Sequence, residues 1–226
     1  MASVWWRRAA FWRGGVPSSQ ASLMKIIETS TAPNPRRVRI FLAEKGIAIP
    51  YEQADLMAGD LKGEAFTRLN PWQRVPVLVL DDGTIIAESI AICRYFEALQ
   101  PEPALFGRGP LGQATVEMWQ RRVEPGLFAY IAHAFRHTNP KMAHLEVPQV
   151  AEWGSANRMK ALEAMDMLDR RLADARYVAG DDFSVADITL LVALDFIKPA
   201  RIERPADLVN LARWYGEVSA RPSAAA

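Results

Sequence analysis

The chain of 226 residues has a single cysteine, Cys93, and only three histidines. One cysteine cannot form an internal disulfide, and it excludes a Cys-x-x-Cys redox motif. A reducing compartment fits this usage, and we expect a cytoplasmic protein. His133 and His137 are four residues apart, with His144 nearby, which is a possible metal-ligand spacing. No acidic residue completes a metal motif, so we expect no metal.

The sequence also lacks a strong charge of either sign and a long apolar run. It has 27 lysines and arginines against 26 acids, for a net charge of +1, and no basic run that would indicate nucleic-acid binding. No apolar stretch approaches the roughly 18 residues that a membrane crossing needs. Half of the residues are hydrophobic and 23% are charged, a globular composition that argues against disorder. We therefore expect neither a nucleic-acid nor a membrane partner.

Residues 1–23 differ in composition from the remainder of the chain. Tryptophan and phenylalanine alternate with Arg7, Arg8 and Arg13, and glycine, proline and serine follow. A transit-like or membrane-surface segment can have this composition. We interpret the segment as an upstream extension outside the fold, with the working protein beginning at Met24.

Residues 24–104 alternate between strand and helix patterns. The predicted elements, in order, are a strand over 25–29, a helix over 35–45, a strand over 49–53, a short helix over 61–69, strands over 75–80 and 85–87, and a helix through Ile90, Ile92, Tyr95 and Phe96. Asn34 is the expected N-cap of the first helix and Pro35 its first residue. Asp82-Gly83 between two apolar runs predicts a hairpin. The order β-α-β-α-β-β-α makes a complete small α/β domain.

No convincing strand follows the proline-rich linker near Pro101 and Pro103. Helical periodicity predicts helices over 111–135, 152–175 and 206–219, with a further helix after residue 184. Ser184 and Asp187 form a capping box in which aspartate replaces the usual glutamate. We therefore predict an all-helical second domain over residues 110–226.

Several short motifs occur together in this order: Pro33-Asn34-Pro35-Arg36-Arg37-Val38-Arg39, Asn70-Pro71, Val75-Pro76, Asp82-Gly83, Glu88-Ser89 and Phe183-Ser184-Val185-Ala186-Asp187. Their order and spacing across residues 24–226 resemble the cytosolic glutathione transferases, in particular the bacterial theta-, beta- and nu-like members. The resemblance implies a thioredoxin-like α/β N-terminal domain followed by an all-α helical domain. It also implies a homodimer.

The function that the resemblance implies is conjugation. Such an enzyme binds glutathione as co-substrate, stabilises its thiolate and adds it to a hydrophobic electrophile held by the helical domain. Two alternatives stay open from the residues: a nu-like, glutathione-dependent disulfide reductase or peroxidase, and a non-catalytic glutathione-fold binding module. Activity with peroxide or disulfide substrates would favour the first alternative.

Two residue pairs are the expected binding groups. In the family, a cis Pro76 turns the main chain of Val75 outward to pair with the cysteinyl part of glutathione. Glu88 and Ser89 hold the γ-glutamyl end at a helix N-terminus, although Ser89 is alternatively a plain N-cap. Gln73 and Arg74 are expected near the glycyl carboxylate, with Lys62 as a looser candidate.

The thiol-activating residue departs from the family pattern. The position of the catalytic serine or cysteine is occupied by Ala32, which has no side-chain donor. The remaining donors in this turn are Ser30, Thr31 and Asn34. Nu-like members use a threonine and an asparagine here, and we rank Asn34 first, Thr31 second and Ser30 third.

The helical domain is expected to supply the electrophile pocket. The aromatic candidates are Trp119, Phe128, Tyr130 and Phe135, although aromatics at helical spacing more often belong to a core. Glu117 is a candidate for reaching the amino group of glutathione across a dimer interface. Cys93 is expected to be a small buried apolar residue.

Overall fold

In the computed structural model of the protein, residues 24–226 are described, and the predicted extension over residues 1–23 lies outside them. The first half forms four strands, β1 (Lys25–Glu28), β2 (Tyr51–Gln53), β3 (Val77–Val79) and β4 (Ile85–Ala87), with helices α1 (Pro33–Lys45), α2 (Glu64–Leu69) and α3 (Ser89–Leu99). A short 3-10 helix, Asp60–Lys62, precedes α2. This order confirms the predicted β-α-β-α-β-β-α unit.

The four strands form one sheet in the order β2-β1-β3-β4. β1 pairs with β2 in parallel, because α1 provides the crossover, and with β3 antiparallel. β3 and β4 are joined by the predicted hairpin, in which Gly83 has a φ of 83° and the Leu80 N–H donates to the Thr84 carbonyl at 2.9 Å. This is the thioredoxin-like arrangement that the sequence predicted.

The start of α1 differs from the prediction. The helix begins at Pro33 with Ala32 as N-cap, so Asn34 is not the N-cap and Pro35 is not the first helical residue. Both prolines fit in the first turn because its main-chain N–H groups have no partner inside the helix. Asn34 lies between Pro33 and Pro35 in this first turn. Gly46 ends the helix at a φ of 65°, as predicted.

The second half is helical, with α4 (Gly109–Val123), α5 (Ala129–Thr138), α6 (Ala151–Ala173), α7 (Val185–Asp195) and α8 (Val209–Ser219). The helix predicted over 111–135 is present, although a π-helical turn, Glu124–Phe128, interrupts the α-helical hydrogen bonding between α4 and α5. Pro125 lacks the N–H that an α-helix would use at this point, which accounts for the interruption. Two 3-10 helices, Pro140–Met142 and Pro222–Ala225, complete the secondary structure.

α7 is the central helix of the second half, and nearly all of its side chains are buried. The predicted capping box is present: the Asp187 carboxylate accepts from the main-chain N–H of Ser184 at 3.0 Å and from its hydroxyl at 2.9 Å. The same carboxylate accepts from the indole N–H of Trp214 at 2.9 Å. α1 packs against both α3 and α7, so one continuous core joins the two halves.

No helix within residues 24–226 combines the length and the apolarity that crossing a membrane requires.

Candidate functional site

A cleft of about 300 Å³ lies where the N-termini of α1 and α3 meet the loop before β3. The side chains around it are Asn34, Asn70, Trp72, Arg74, Val75, Pro76, Glu88 and Ser89. Both residue pairs expected to bind the peptide therefore line one cavity with the first-ranked donor of the turn.

The loop before β3 presents the main chain of Val75. The Val75–Pro76 peptide bond is cis, as the resemblance implied. Asn70 fixes the loop: its side-chain nitrogen donates to the Arg74 carbonyl at 2.9 Å, and its side-chain oxygen accepts from the Trp72 N–H at 3.1 Å. The Val75 N–H and C=O make no hydrogen bond with any other described residue. They remain available to pair with an extended ligand.

Glu88 and Ser89 begin α3. Glu88 is the N-cap residue, with a φ of 70°, and Ser89 is the first helical residue, so the alternative of Ser89 as a plain N-cap is wrong. The Ser89 hydroxyl oxygen accepts a hydrogen bond from Nη1 of Arg37 at 2.7 Å. Because a serine hydroxyl both donates and accepts, Ser89 keeps its own O–H for a group in the cleft.

Arg74 lines the cleft, whereas Gln73 does not. Burial lowers the pKa of Arg74, as does nearby Arg136, while Glu146 and Glu88 act in the opposite direction. The Gln73 amide instead donates to the Thr67 hydroxyl at 3.0 Å. Within residues 24–226, the Arg74 side chain forms no hydrogen bond or ion pair, so it is available to a carboxylate. Lys62 is exposed and outside the cleft lining.

Of the three candidate donors Ser30, Thr31 and Asn34, only Asn34, in the first turn of α1, lines the cleft. Its side chain makes no hydrogen bond with the described residues. Pro33 and Pro35 have no N–H, so Asn34 also carries the one free main-chain donor of these three positions. Ser30 and Thr31 are exposed, and the main-chain N–H of Ser30 donates to the side-chain oxygen of Gln53 at 3.0 Å.

The aromatic candidates for an electrophile pocket do not line this cleft. Phe128 and Phe135 pack against Phe196, with ring centroids 6.3 and 5.0 Å apart. The Trp119 ring lies between two guanidinium groups, and Tyr130 lies beside a lysine. Glu117 forms ion pairs with Arg94 and Arg121 of the same chain.

The histidines and the cysteine lie outside the lining of the cleft. The rings of His133 and His137 are 6.1 Å apart, and burial, followed by the neighbouring His137, lowers the pKa of His133. No group of three or more His, Cys, Asp or Glu side chains placed to hold a metal occurs between residues 24 and 226. Cys93 is fully buried, which confirms its expected structural role, and burial raises its thiol pKa to about 12.

A larger cavity of about 610 Å³ lies between the linker, the start of α4 and the loop before α7. None of the predicted site residues borders it. The predicted site residues that border a cavity therefore lie at the smaller of these two cavities.

Sequence reasoning missed Trp72, a residue that lines the cleft and is 80% exposed, and Arg37, which is fully buried behind the cleft. The position of Arg37 in the sequence indicates that its side chain is buried. It precedes Phe41 by four residues, so a charged residue lies on the apolar stripe of the helix.

Comparisons with family models and with known proteins all point to the same protein family. The family models described as "Glutathione S-transferase, N-terminal domain" and "Glutathione S-transferase, C-terminal domain" match residues 31–99 and 151–217. Glutathione S-transferase 2 of Saccharomyces cerevisiae is 39% identical over 203 residues, covering 88% of this chain and 87% of that protein.

Solved structures agree. The crystal structure of Gtt2 from Saccharomyces cerevisiae superposes with a TM-score of 0.85 at 39% identity, covering 88% of this chain and 97% of that one. A glutathione S-transferase domain-containing protein from Marinobacter aquaeolei VT8 gives the same TM-score and identity, with 88% and 98% of the two chains covered. Together with the two family-model matches, these similarities show that the chain belongs to the glutathione S-transferase family.

Proposed function

We propose that the cleft between α1, α3 and the Val75–Pro76 loop is the glutathione site, and that Asn34 stabilises the thiolate there. The chain is a glutathione transferase, and glutathione is its co-substrate. The observation that carries the assignment of the site is the convergence of Asn34, Arg74, Val75 and Ser89 on one cavity of about 300 Å³.

Each part of the tripeptide has a complementary group. The free N–H and C=O of Val75 pair with the cysteinyl residue as one added strand residue would. The Ser89 hydroxyl and the N-terminus of α3 receive the γ-glutamyl carboxylate, while the Glu88 carboxylate suits the adjacent ammonium group. Arg74 takes the glycyl carboxylate. Gln73 has the weaker case, because its amide is already bonded to Thr67.

The energy needed to ionise the thiol is small. A free cysteine thiol has a pKa of roughly 8.5. One charge-assisted hydrogen bond contributes about 1.5–3 kcal/mol, which corresponds to about one to two pKa units. The side-chain amide of Asn34 supplies such a donor, and the α1 N-terminus adds about 0.3–1 kcal/mol. Thr31 and Ser30 keep the second and third ranks, since both are exposed outside the cleft.

The thiolate then attacks the electrophilic carbon of a hydrophobic substrate, forming the thioether conjugate. The relatives described above carry the transferase name, so neither the disulfide reductase or peroxidase alternative nor the non-catalytic module is favoured. If Asn34 acts in this way, the chain belongs with the bacterial theta-, beta- and nu-like members, and we propose that placement. We also propose domains over 24–104 and 110–226, a homodimer and a cytoplasmic location.

The test is ultraviolet titration of the bound thiolate against pH. We expect wild-type protein to lower the thiol pKa of bound glutathione by about one to two units, and Asn34→Ala to remove most of this shift. Thr31→Ala tests the second-ranked donor in the same turn and is expected to change the thiol pKa less than Asn34→Ala does. An unchanged pKa in Asn34→Ala would refute the assignment of Asn34. Failure of the wild type to bind glutathione would refute the assignment of the cleft.

A further inference from the structure

A chain of buried polar side chains runs from the cleft into the helical domain. It consists of Ser89 on α3, Arg37 on α1, Glu124 in the π-helical turn, Gln120 on α4 and Thr189 on α7. Four of the five are almost completely buried, and only Glu124 retains partial exposure, with 31% of its side chain accessible. We call this set the buried polar relay.

The hydrogen bonds of the relay are continuous. Nη1 of Arg37 donates both to the Ser89 hydroxyl and to Oε1 of Glu124, each at 2.7 Å. The second carboxylate oxygen of Glu124 accepts from the Gln120 amide at 3.0 Å. The side-chain oxygen Oε1 of Gln120 accepts from the Thr189 hydroxyl at 2.8 Å. Ser89 is thereby connected to the central helix of the second domain.

Burying the charged guanidinium of Arg37 at this position carries a desolvation cost. Its side chain is 0% exposed, and its guanidinium lies 5.3 Å from the centre of the Phe128 ring. Nε and Nη2 find no hydrogen-bond partner among the described residues. An apolar side chain would fill this space without the desolvation of a charge. The hydrogen bonds to Ser89 and Glu124 are the contacts that an apolar residue could not provide, and of these two partners only Ser89 lines the cleft.

That hydrogen bond determines what Ser89 can offer a ligand. The charged donor occupies one of the two lone pairs of the hydroxyl oxygen, which leaves the O–H free to donate. A hydroxyl that accepts from a guanidinium is also polarised and becomes a better donor. Arg37 therefore makes the Ser89 hydroxyl a stronger donor for a carboxylate.

We propose that Arg37 is a positioning residue that sets the affinity of the cleft for the γ-glutamyl carboxylate by acting through Ser89, with Glu124 and Gln120 of the helical domain holding Arg37 in place. This inference rests on the proposed glutathione site. It makes the affinity for one end of the ligand depend on side chains of the second domain.

The test compares glutathione with γ-aminobutyryl-cysteinylglycine, which lacks only the γ-glutamyl α-carboxyl group, by calorimetric titration of the full chain. We expect Arg37→Met to weaken glutathione binding about tenfold, the value of one hydrogen bond to a charged group, and to weaken the analogue less than about twofold. A general loss of structure would weaken both ligands equally. Arg36→Met is the matched control, because Arg36 is the adjacent residue and pairs with Asp195 at 2.5 Å instead of with Ser89.

Selective loss of glutathione affinity in Arg37→Met but not in Arg36→Met supports the proposal. Equal weakening of both ligands, or no weakening, overturns it. Arg37→Lys retains the buried charge and decides the case if the methionine variant does not fold: we expect the same selectivity for glutathione with a smaller loss, and equal losses for both ligands overturn the proposal. If wild-type protein binds glutathione no better than the analogue, this inference fails while glutathione binding stands. If it binds neither, the proposed site fails as well.

Discussion

The guanidinium of Arg221, near the C-terminus, donates two hydrogen bonds to the carboxylate of Glu44 on α1, at 2.8 and 2.7 Å. The Ser223 hydroxyl donates to the same carboxylate. The C-terminal 3-10 helix is therefore fastened to the helix whose N-terminus carries Asn34. This pair joins the last segment of the chain to the C-terminal end of α1, the end opposite Asn34.

The pair predicts a pH dependence of stability. Burial raises the pKa of Glu44, but the hydrogen bonds from Arg221 and Ser223 and the charge of Arg221 outweigh burial, so the pKa lies below its ordinary value of 4.5. A lowered pKa in the folded state stabilises the fold above pH 4.5, and this contribution is lost as the pH falls through the folded-state pKa. We expect Arg221→Met to lower the free energy of unfolding by about 1–2 kcal/mol near neutral pH, after allowing for solvent screening.

Urea unfolding of wild type and Arg221→Met at several pH values measures this difference, which should shrink below pH 4.5. The matched control is Arg176→Met, which removes the largely exposed ion pair to Glu217 and should change stability little. A difference that stays constant from neutral to acid pH would contradict the assignment.

Asp187 predicts a second, larger stability effect. Its carboxylate is fully buried and accepts from Ser184, from the Val178 N–H at 2.8 Å and from the Trp214 indole at 2.9 Å. Asp187→Ala leaves these buried donors unpaired, so we expect a loss of about 3–5 kcal/mol in denaturant unfolding. Asp187→Asn keeps one acceptor oxygen and should lose less. Asp166→Ala, which removes an exposed helical ion pair on α6, is the control expected to be near neutral; equal losses in both alanine variants would refute the role of Asp187.

The features predictable from sequence were those with a local signature. The hairpin at Asp82-Gly83 and the capping box at Ser184 follow from residues adjacent in the chain, and both are present. The periodicity of the apolar residues predicted the order of elements for the same reason. The match to glutathione transferases extended these local patterns to a fold.

What sequence could not supply were contacts between distant segments. Arg37 meets Ser89 and Glu124 at sequence separations of 52 and 87 residues, and no local pattern encodes either pairing. The start of α1 was misassigned because two prolines tolerate the first turn equally well. The interruption at Pro125 was missed because apolar periodicity continues on both sides of it.

The main-chain conformation and the carboxylate of Glu88 affect two different properties, the stability of the fold and the affinity for glutathione. Its φ of 70° is a conformation that residues other than glycine adopt at a cost of about 1–2 kcal/mol. Glu88→Gly relieves this strain, whereas Glu88→Ala retains it, and both remove the carboxylate. We expect the glycine variant to be more stable than the alanine variant by about 0.5–1 kcal/mol, while both bind glutathione more weakly than wild type does. Thermal unfolding and calorimetric titration of the two variants measure these effects; an alanine variant as stable as the glycine variant would argue against strain at this position.

Arg74 provides the last prediction. Although burial lowers its pKa, an arginine remains charged at neutral pH, and no described side chain neutralises it by an ion pair. Its charge is therefore available to the glycyl carboxylate, and we expect Arg74→Met to raise the KM for glutathione about tenfold with a smaller change in kcat.

The wild-type KM should also rise with ionic strength, because salt screens a partly exposed charge pair, and the variant should lose most of this dependence. Arg68→Met is the control, since Arg68 pairs with Glu64 on the outer face of α2 and lies outside the cleft lining. Equal salt dependence in wild type and Arg74→Met would mean that the carboxylate is held elsewhere. In that case Arg74 would contribute only to the shape of the cleft.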